Sequence, residues 1–203
     1  TVDPVSGVIF WRPLEGVLTS GEVRLTVTDD GTASASSDQT FTITVMAVND
    51  APVAAVVTGS GAEGGTITTI LTATDSDDSD GFSFSFVVVT SPSNIDDSVT
   101  IGDVSYSAGT FTAIASYTHD GSENFSDGFS YKAVDSSGLE STSSASITIG
   151  SVNDAPVIIS AAQTTATEDV EYTYVPIATD EEGNSMSWAL TTSPTEMTVD
   201  PVS

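Results

Sequence analysis

Val48-Asn-Asp-Ala-Pro-Val53 and Val152-Asn-Asp-Ala-Pro-Val157 are one hexapeptide written twice. The copies lie about 100 residues apart, the size of a small domain, and a motif recurring at that period marks joints between tandem units. Proline gives up a backbone donor and pushes the residue before it into extended backbone. An incoming strand therefore stops at Pro52 or Pro156, and a new one starts at a sheet edge. Asn49, Asp50, Asn153 and Asp154 place oxygen donors where two domain ends meet.

Outward from the first joint, residues 51–153 carry a full set of short strand signals at Pro52–Val57, Thr66–Ala73, Phe82–Val89, Ser98–Ile101, Thr110–Tyr117, Gly128–Val134 and Ala145–Ile149. Seven alternating runs in about 100 residues, with turn residues between them and no helical period, predict an immunoglobulin-like β-sandwich. Phe84, Phe86, Phe111, Phe129 and Tyr131 sit on those runs and are the natural core anchors.

The flanking segments read as incomplete sandwiches. Residues 1–50 offer strands at Val8–Trp11, Glu22–Thr28 and Thr40–Val45, with Asp29-Asp-Gly31 and the following Ser/Ala stretch as a turn and solvated loop. Three strands cannot close a core alone. Residues 154–203 restart the pattern at Val157–Ile159, Glu171–Thr179 and Ser185–Leu190. The chain finishes on Thr198-Val-Asp-Pro-Val-Ser203, which is also how it begins, as Thr1-Val-Asp-Pro-Val-Ser6. Superimposing the two copies joins the flanking segments into about the length of one more sandwich. The expectation is an all-β chain of tandem sandwiches, one complete and one split between the two ends. Such halves either join head to tail between copies by strand complementation or form a window on a longer repetitive protein, which the duplicated hexapeptide favours.

Composition narrows the function. Three Lys plus Arg stand against 29 Asp plus Glu, a formal net charge of -26. That surplus excludes nucleic acid and anionic lipid as natural partners and favours cations. Hydrophobic residues make up 38% of the chain in short alternating runs, so it is folded with an acidic surface. The absence of cysteine rules out a disulfide framework and thiolate metal sites. No apolar run is long enough for a membrane span, and no signal-peptide pattern is present. No nucleophile elbow, H-E-x-x-H or Walker loop occurs, so no enzyme is expected. The lone His119 beside Asp120 reads as an ordinary surface residue.

Two stretches carry a family resemblance. Leu190-Thr-Thr-Ser-Pro-Thr-Glu-Met-Thr-Val-Asp-Pro201, continued by Asp3-Pro-Val-Ser-Gly-Val-Ile-Phe-Trp-Arg-Pro13 and Val27-Thr-Asp-Asp-Gly31, resembles the dystroglycan-type cadherin-like repeat of bacterial surface proteins. Glu196 stands where that family carries glycine. The middle domain, through Asp127-Gly-Phe-Ser-Tyr-Lys-Ala-Val-Asp135 and the second joint, resembles the cadherin-like and VCBS-type repeats of large bacterial adhesins.

The resemblance implies calcium at the joints. Its linker pair maps to Asn49 and Asp50 and to Asn153 and Asp154. Its acidic loop maps to Asp75 and Asp77 and to Asp180 and Glu182. Its late aspartate maps to Asp135 and, as a weaker match, to Asp29, and its acidic residue near the first strand to Glu63 and Glu168. The L-D-R-E motif of true cadherins is missing, and Asp120 and Glu123, one residue out of step, are lesser candidates. The chemistry agrees, because Ca2+ takes six to eight oxygens from carboxylates, amides and backbone in irregular geometry. Asn49, Asp50, Asp75, Asp77 and Asp135 would meet at one end of a sandwich. The bland alternatives stand beside this: Thr74-Asp-Ser-Asp-Asp-Ser-Asp-Gly81 as a solvated loop, and Asp29 and Asp30 as hairpin caps.

The implied function is a structural repeat of an extracellular, cell-surface adhesin or matrix fibre, partnered by copies of itself. The alternative is a carbohydrate-binding module facing surface polysaccharide, with Trp11 and Trp188 as sugar platforms. Both tryptophans lie on alternating runs, which favours core packing for them.

Overall fold

Thr, Val, Ile and Ala in period-two order make half-buried strands, since alternate side chains point to opposite faces. The computed structural model describes residues 1–78, 81 and 83–199. Phe82, where one expected strand begins, Ser79 and Asp80 of the acidic loop, and residues 200–203 of the repeated hexapeptide lie outside the described residues. The strands are β1 (Val23–Thr28), β2 (Ser36–Phe41), β3 (Val53–Ala54), β4 (Val57–Ala62), β5 (Thr66–Thr74), β6 (Ser85–Thr90), β7 (Thr100–Ile101), β8 (Ser105–Ser107), β9 (Thr110–Thr118), β10 (Ser126–Val134), β11 (Glu140–Gly150), β12 (Val157–Ile158) and β13 (Ala178–Thr179). In β5, Ile67, Thr69, Leu71 and Ala73 are buried while Thr66, Thr68 and Ile70 face out. β9 alternates in the same way, burying Phe111, Ala113, Ala115 and Tyr117.

β3 to β11 form the middle domain. One layer runs β6-β10-β11-β4 and the other β4-β5-β9-β7, with β3 on β5 and β8 on β9. β4 joins the layers, parallel to β11 from Ala145↔Val57 to Gly150↔Ala62 and antiparallel to β5 at Ser60↔Thr68. Its glycines make this possible: a Cβ at Gly61 would collide with Ile67 Cδ1, and one at Gly59 would lie 2.9 Å from Ile147 Cδ1. Between the layers, the Phe84 and Phe111 rings stack at a centroid distance of 3.8 Å. Phe86 tilts against Tyr131 at 5.9 Å. The Tyr131 hydroxyl donates to the carbonyls of Ala55 and Thr72, satisfying its one polar atom inside the core. This is an all-β, immunoglobulin-like sandwich. All five aromatic anchors read from the sequence are buried in it.

The flanking segments are smaller. β1 and β2 form one antiparallel pair, Val23↔Phe41 to Thr28↔Ser36, and β12 and β13 another, Val157↔Thr179 and Ile158↔Ala178. The strand expected at Thr40–Val45 begins earlier and ends earlier, at Ser36–Phe41, taking in the end of the Ser/Ala stretch expected as a loop. Polar cross-strand contacts hold it: Arg24 and Thr26 bond to Asp38, and the Thr28 and Ser36 hydroxyls meet at 2.8 Å. The apolar stretch after it continues the ladder irregularly, with Ser20 N–H bonding Ile43 O and Val45 N–H bonding Leu18 O. Val8–Trp11 is not a strand and contributes only the bridge Val2↔Ile9. Of Glu171–Thr179 only β13 is ladder-paired, and Ser185–Leu190 belongs to no strand. Among the described residues no ladder joins one flanking segment to the other. Their apolar side chains accordingly stay exposed, Trp11 at 43%, Leu18 at 59% and Ile177 at 57%.

Candidate metal centres at the joints

At the first joint the chain turns into the middle domain through Asn49 and Asp50. Asn49 Nδ2 donates to Asp135 Oδ2 at 2.8 Å and to Asp50 O at 3.0 Å. Asp50 N–H donates to Asp77 Oδ2 at 2.7 Å. The acidic loop after β5 is folded around its own carboxylate: Asp75 Oδ1 accepts from Asp77 N–H at 2.8 Å and Asp78 N–H at 3.0 Å, while Asp75 Oδ2 is buried and unpartnered. Burial alone would raise the Asp135 carboxyl. The Asn49 amide and the N–H groups of Leu139, Ser137 and Gly138 outweigh that and hold it below the ordinary aspartate value. Carboxylate oxygens of Glu15, Asp50 and Asp77 lie within 4.8 Å of one another.

The second joint repeats this pattern. Asn153 Nδ2 donates to Asp154 O at 3.0 Å and Asp154 N–H to Glu182 Oε1 at 2.6 Å. Asn184 N–H bonds Asp180 Oδ1 at 2.8 Å, and Asn184 Nδ2 bonds Asn153 Oδ1 at 2.9 Å. From the middle domain, Glu63 is only 7% exposed and accepts Val152 N–H on Oε1. Oxygens of Glu63, Glu123, Asp154 and Glu182 lie within 4.8 Å of one another. Glu63 Oε2, Glu123 Oε1 and Glu182 Oε2 are buried without a hydrogen-bond partner. Desolvation, then the charges of Glu63 and Glu182, push the Glu123 carboxyl above the ordinary glutamate value. Four converging carboxylates, three of them with a buried unpartnered oxygen, fit a hard divalent cation such as Ca2+, which binds through oxygen and offsets their repulsion.

Asn49, Asp50, Asp75, Asp77 and Asp135 thus gather at the first joint, and Glu63, Asn153, Asp154, Asp180 and Glu182 at the second. Glu168 is exposed in a turn outside either cluster. Asp29 caps its hairpin, with Oδ1 accepting Gly31 N–H at 3.2 Å and Ala35 N–H at 3.0 Å. Glu15 was missed, and Glu123, ranked low, is part of the tightest group. Both precede the second-last strand of their domain, a spacing that could have flagged them.

His119 is the main correction. It is 0% exposed, not a surface residue. Its N–H bonds Gly65 O at 3.0 Å and its Nδ1 accepts Gly121 N–H at 3.2 Å. It therefore anchors the loop that carries Glu123.

The fold defines the class first: an all-β, immunoglobulin-like sandwich. Residues 49–149 match the family model described as bacterial Ig domain. No curated protein matches the chain. Among solved structures, extracellular cadherin domains 3–6 of protocadherin gamma B2 share 21% identity over 82% of this chain and 43% of theirs, with a TM-score of 0.50. The PcdhgB3 EC1–4 structure shares 21% identity over 83% of this chain and 42% of its own, with a TM-score of 0.51. The chain thus spans less than half the length of these structures, and the likeness concerns the fold.

Proposed function

We propose that the chain is a non-catalytic repeat unit of an extracellular adhesin or matrix fibre, arranged head to tail with copies of itself and stiffened by calcium at its joints. The observation that carries this is the second joint, where Glu63 and Glu123 from one domain converge on Asp154 and Glu182 of the linker and the next segment. Buried carboxylate oxygens without partners are costly, and a cation shared across the seam removes that cost only when the two sides are held together. Calcium would thereby convert a hinge into a fixed angle. The test is a calcium titration read by thermal melting and by small-angle scattering. A higher melting temperature and a longer, stiffer particle in millimolar calcium support the proposal, and identical curves in chelator and calcium refute it.

A second reading is supported by the exposure of Trp11. A sugar platform there would change tryptophan fluorescence on adding acidic or neutral polysaccharide.

A further inference from the structure

β5 and β9 bury Ile67, Leu71, Phe111 and Ala115 on one side, so their alternate residues make the outer face of that layer. The ladder between them puts Ile70 directly opposite Ile114, each 58% exposed and each the fifth of nine residues in its strand. On either side stand Thr68↔Ser116 and Thr72↔Thr112, and the outermost pairs on this face are Thr on Thr. β4, β7 and β8 extend it with threonine, serine and one alanine. The result is an apolar spot centred in a sheet of hydroxyls.

No outward position of these strands carries a charge, in a chain with a formal net charge of -26. The acids stand round the rim: Asp75 follows β5, Asp103 lies between β7 and β8, and Asp120 comes after the end of β9. The outward face of the other layer differs, since Lys132 Nζ meets Glu140 Oε2 there at 2.8 Å. Two such chains repel wherever their carboxylates approach, and this face lets them meet with no ionised group between them. Hydroxyls suit a copy of themselves because each both donates and accepts, and a central Ile pair meets the self-complementarity that a two-fold interface demands. Four strands abreast and nine residues long span about 19 by 30 Å, roughly 600 Å² per partner against about 800 Å² for a standard interface. Pairing over that area is weak and transient, and becomes firm where the face recurs along a fibre.

We propose that the β4-β5-β9-β7 face is the surface on which two copies of this chain pair side by side, the Ile70 and Ile114 of one packed on those of the other. The two sheets lie about 10 Å apart, with Ile in the middle and Thr and Ser excluding water around it. The partner is met laterally, away from the joints. Only the recurrence of the face is taken from the repeat-unit reading, and calcium is not required. Salt acts on the rim alone: screening the charges of Asp75, Asp103 and Asp120 strengthens the pairing, the opposite of what an interface of matched charges shows.

The test is sedimentation equilibrium of the whole chain in chelator, at concentrations up to the millimolar range and at low and high sodium chloride. Mass rising with concentration from 20.7 kDa toward twice that value, and more steeply at high salt, supports the proposal. Ile114→Asp places like charges at the centre of the pair and weakens association about a hundredfold or more. Val87→Asp, on the outward face of the opposite layer, leaves it unchanged. Thermal melting establishes that each variant is folded, and Thr68→Glu, beside the centre, is the second variant if Ile114→Asp melts early. A constant 20.7 kDa overturns the proposal, as does association that salt weakens, that Ile114→Asp and Thr68→Glu retain, or that Val87→Asp abolishes. Association in chelator with no effect of calcium on melting keeps the face and removes the joint reading. A calcium shift in a chain that stays at 20.7 kDa keeps the joint reading and removes the face. Methyl NMR signals of Ile70 and Ile114 that move with a soluble neutral glucan, and not with protein concentration, assign the face to sugar and overturn the proposal.

Discussion

Replacing Glu63 with glutamine isolates the charge of one buried oxygen while sparing the backbone. The amide oxygen still accepts the Val152 N–H that Glu63 Oε1 accepts, so the change falls on the unpartnered Oε2 facing Glu123, Asp154 and Glu182. In the unaltered chain, about 10 mM calcium acting on sites with Kd of about 10⁻⁴ to 10⁻³ M adds about 1.4 to 2.7 kcal/mol. At roughly 4 to 8 °C per kcal/mol for a domain of this size, the melting temperature rises by about 6 to 20 °C. Loss of a charged ligand weakens binding by about tenfold or more, about 1.4 kcal/mol, so Glu63→Gln forfeits roughly half or more of that rise. In chelator the sign reverses, because removing one of four crowded negative charges relieves repulsion, and the variant melts at or above the parent. The assay is paired thermal melting, by circular dichroism, in chelator and in calcium. A variant that keeps the full calcium shift, or that melts well below the parent in chelator, refutes the reasoning.

The remaining predictions concern the same domain. Glu123 titrates above the ordinary glutamate value, so between that value and its own the folded state holds the extra proton. Stability from this group is then present below the ordinary value and is lost as pH rises through the raised one. Carboxyl NMR titration in chelator should show the elevated midpoint, and calcium should lower it. Phe111→Ala removes a fully buried ring stacked on Phe84 and should cost about 3 to 5 kcal/mol in denaturant unfolding, with or without calcium. Ala108 and Gly109 both have positive φ, 49° and 81°, in the hairpin between β8 and β9. Ala108→Asn suits that turn better and should stabilise by about 0.5 to 1 kcal/mol, a melting shift of a few degrees.

The sandwich was legible because its core obeys local rules. Phe84, Phe86, Phe111, Phe129 and Tyr131 lie on period-two runs, and period alone aims them inward. The start of β2 was illegible because Ser36-Ser-Asp-Gln39 has no apolar alternation, and the bonds of Asp38 to Arg24 and Thr26 hold it as a strand. Ser185–Leu190 has the alternation without the strand, since a ladder needs a neighbour. His119 was misread because its burial is set by tertiary contacts, its backbone N–H bonding Gly65 O and its Nδ1 accepting Gly121 N–H, which a lone histidine in a polar stretch does not announce. The joint carboxylates were visible as composition and spacing, but which oxygens converge is set by loop paths. Glu15 and Glu123 arrive from turns that no periodicity describes. Glu196 takes a φ of 70°, the left-handed backbone for which glycine is the usual choice, so the turn forms despite the substitution.

The parallel pairing of β4 with β11 bears on how the middle domain carries load. Tension applied through its two linkers enters on the β3–β4 side and leaves at the end of β11, so the two strands are dragged along their length in opposite senses. From Ala145↔Val57 to Gly150↔Ala62 the bonds between them then share the strain in shear, instead of opening one after another like a zip. A strand whose glycines let it thread between two layers becomes the mechanical clamp of the domain.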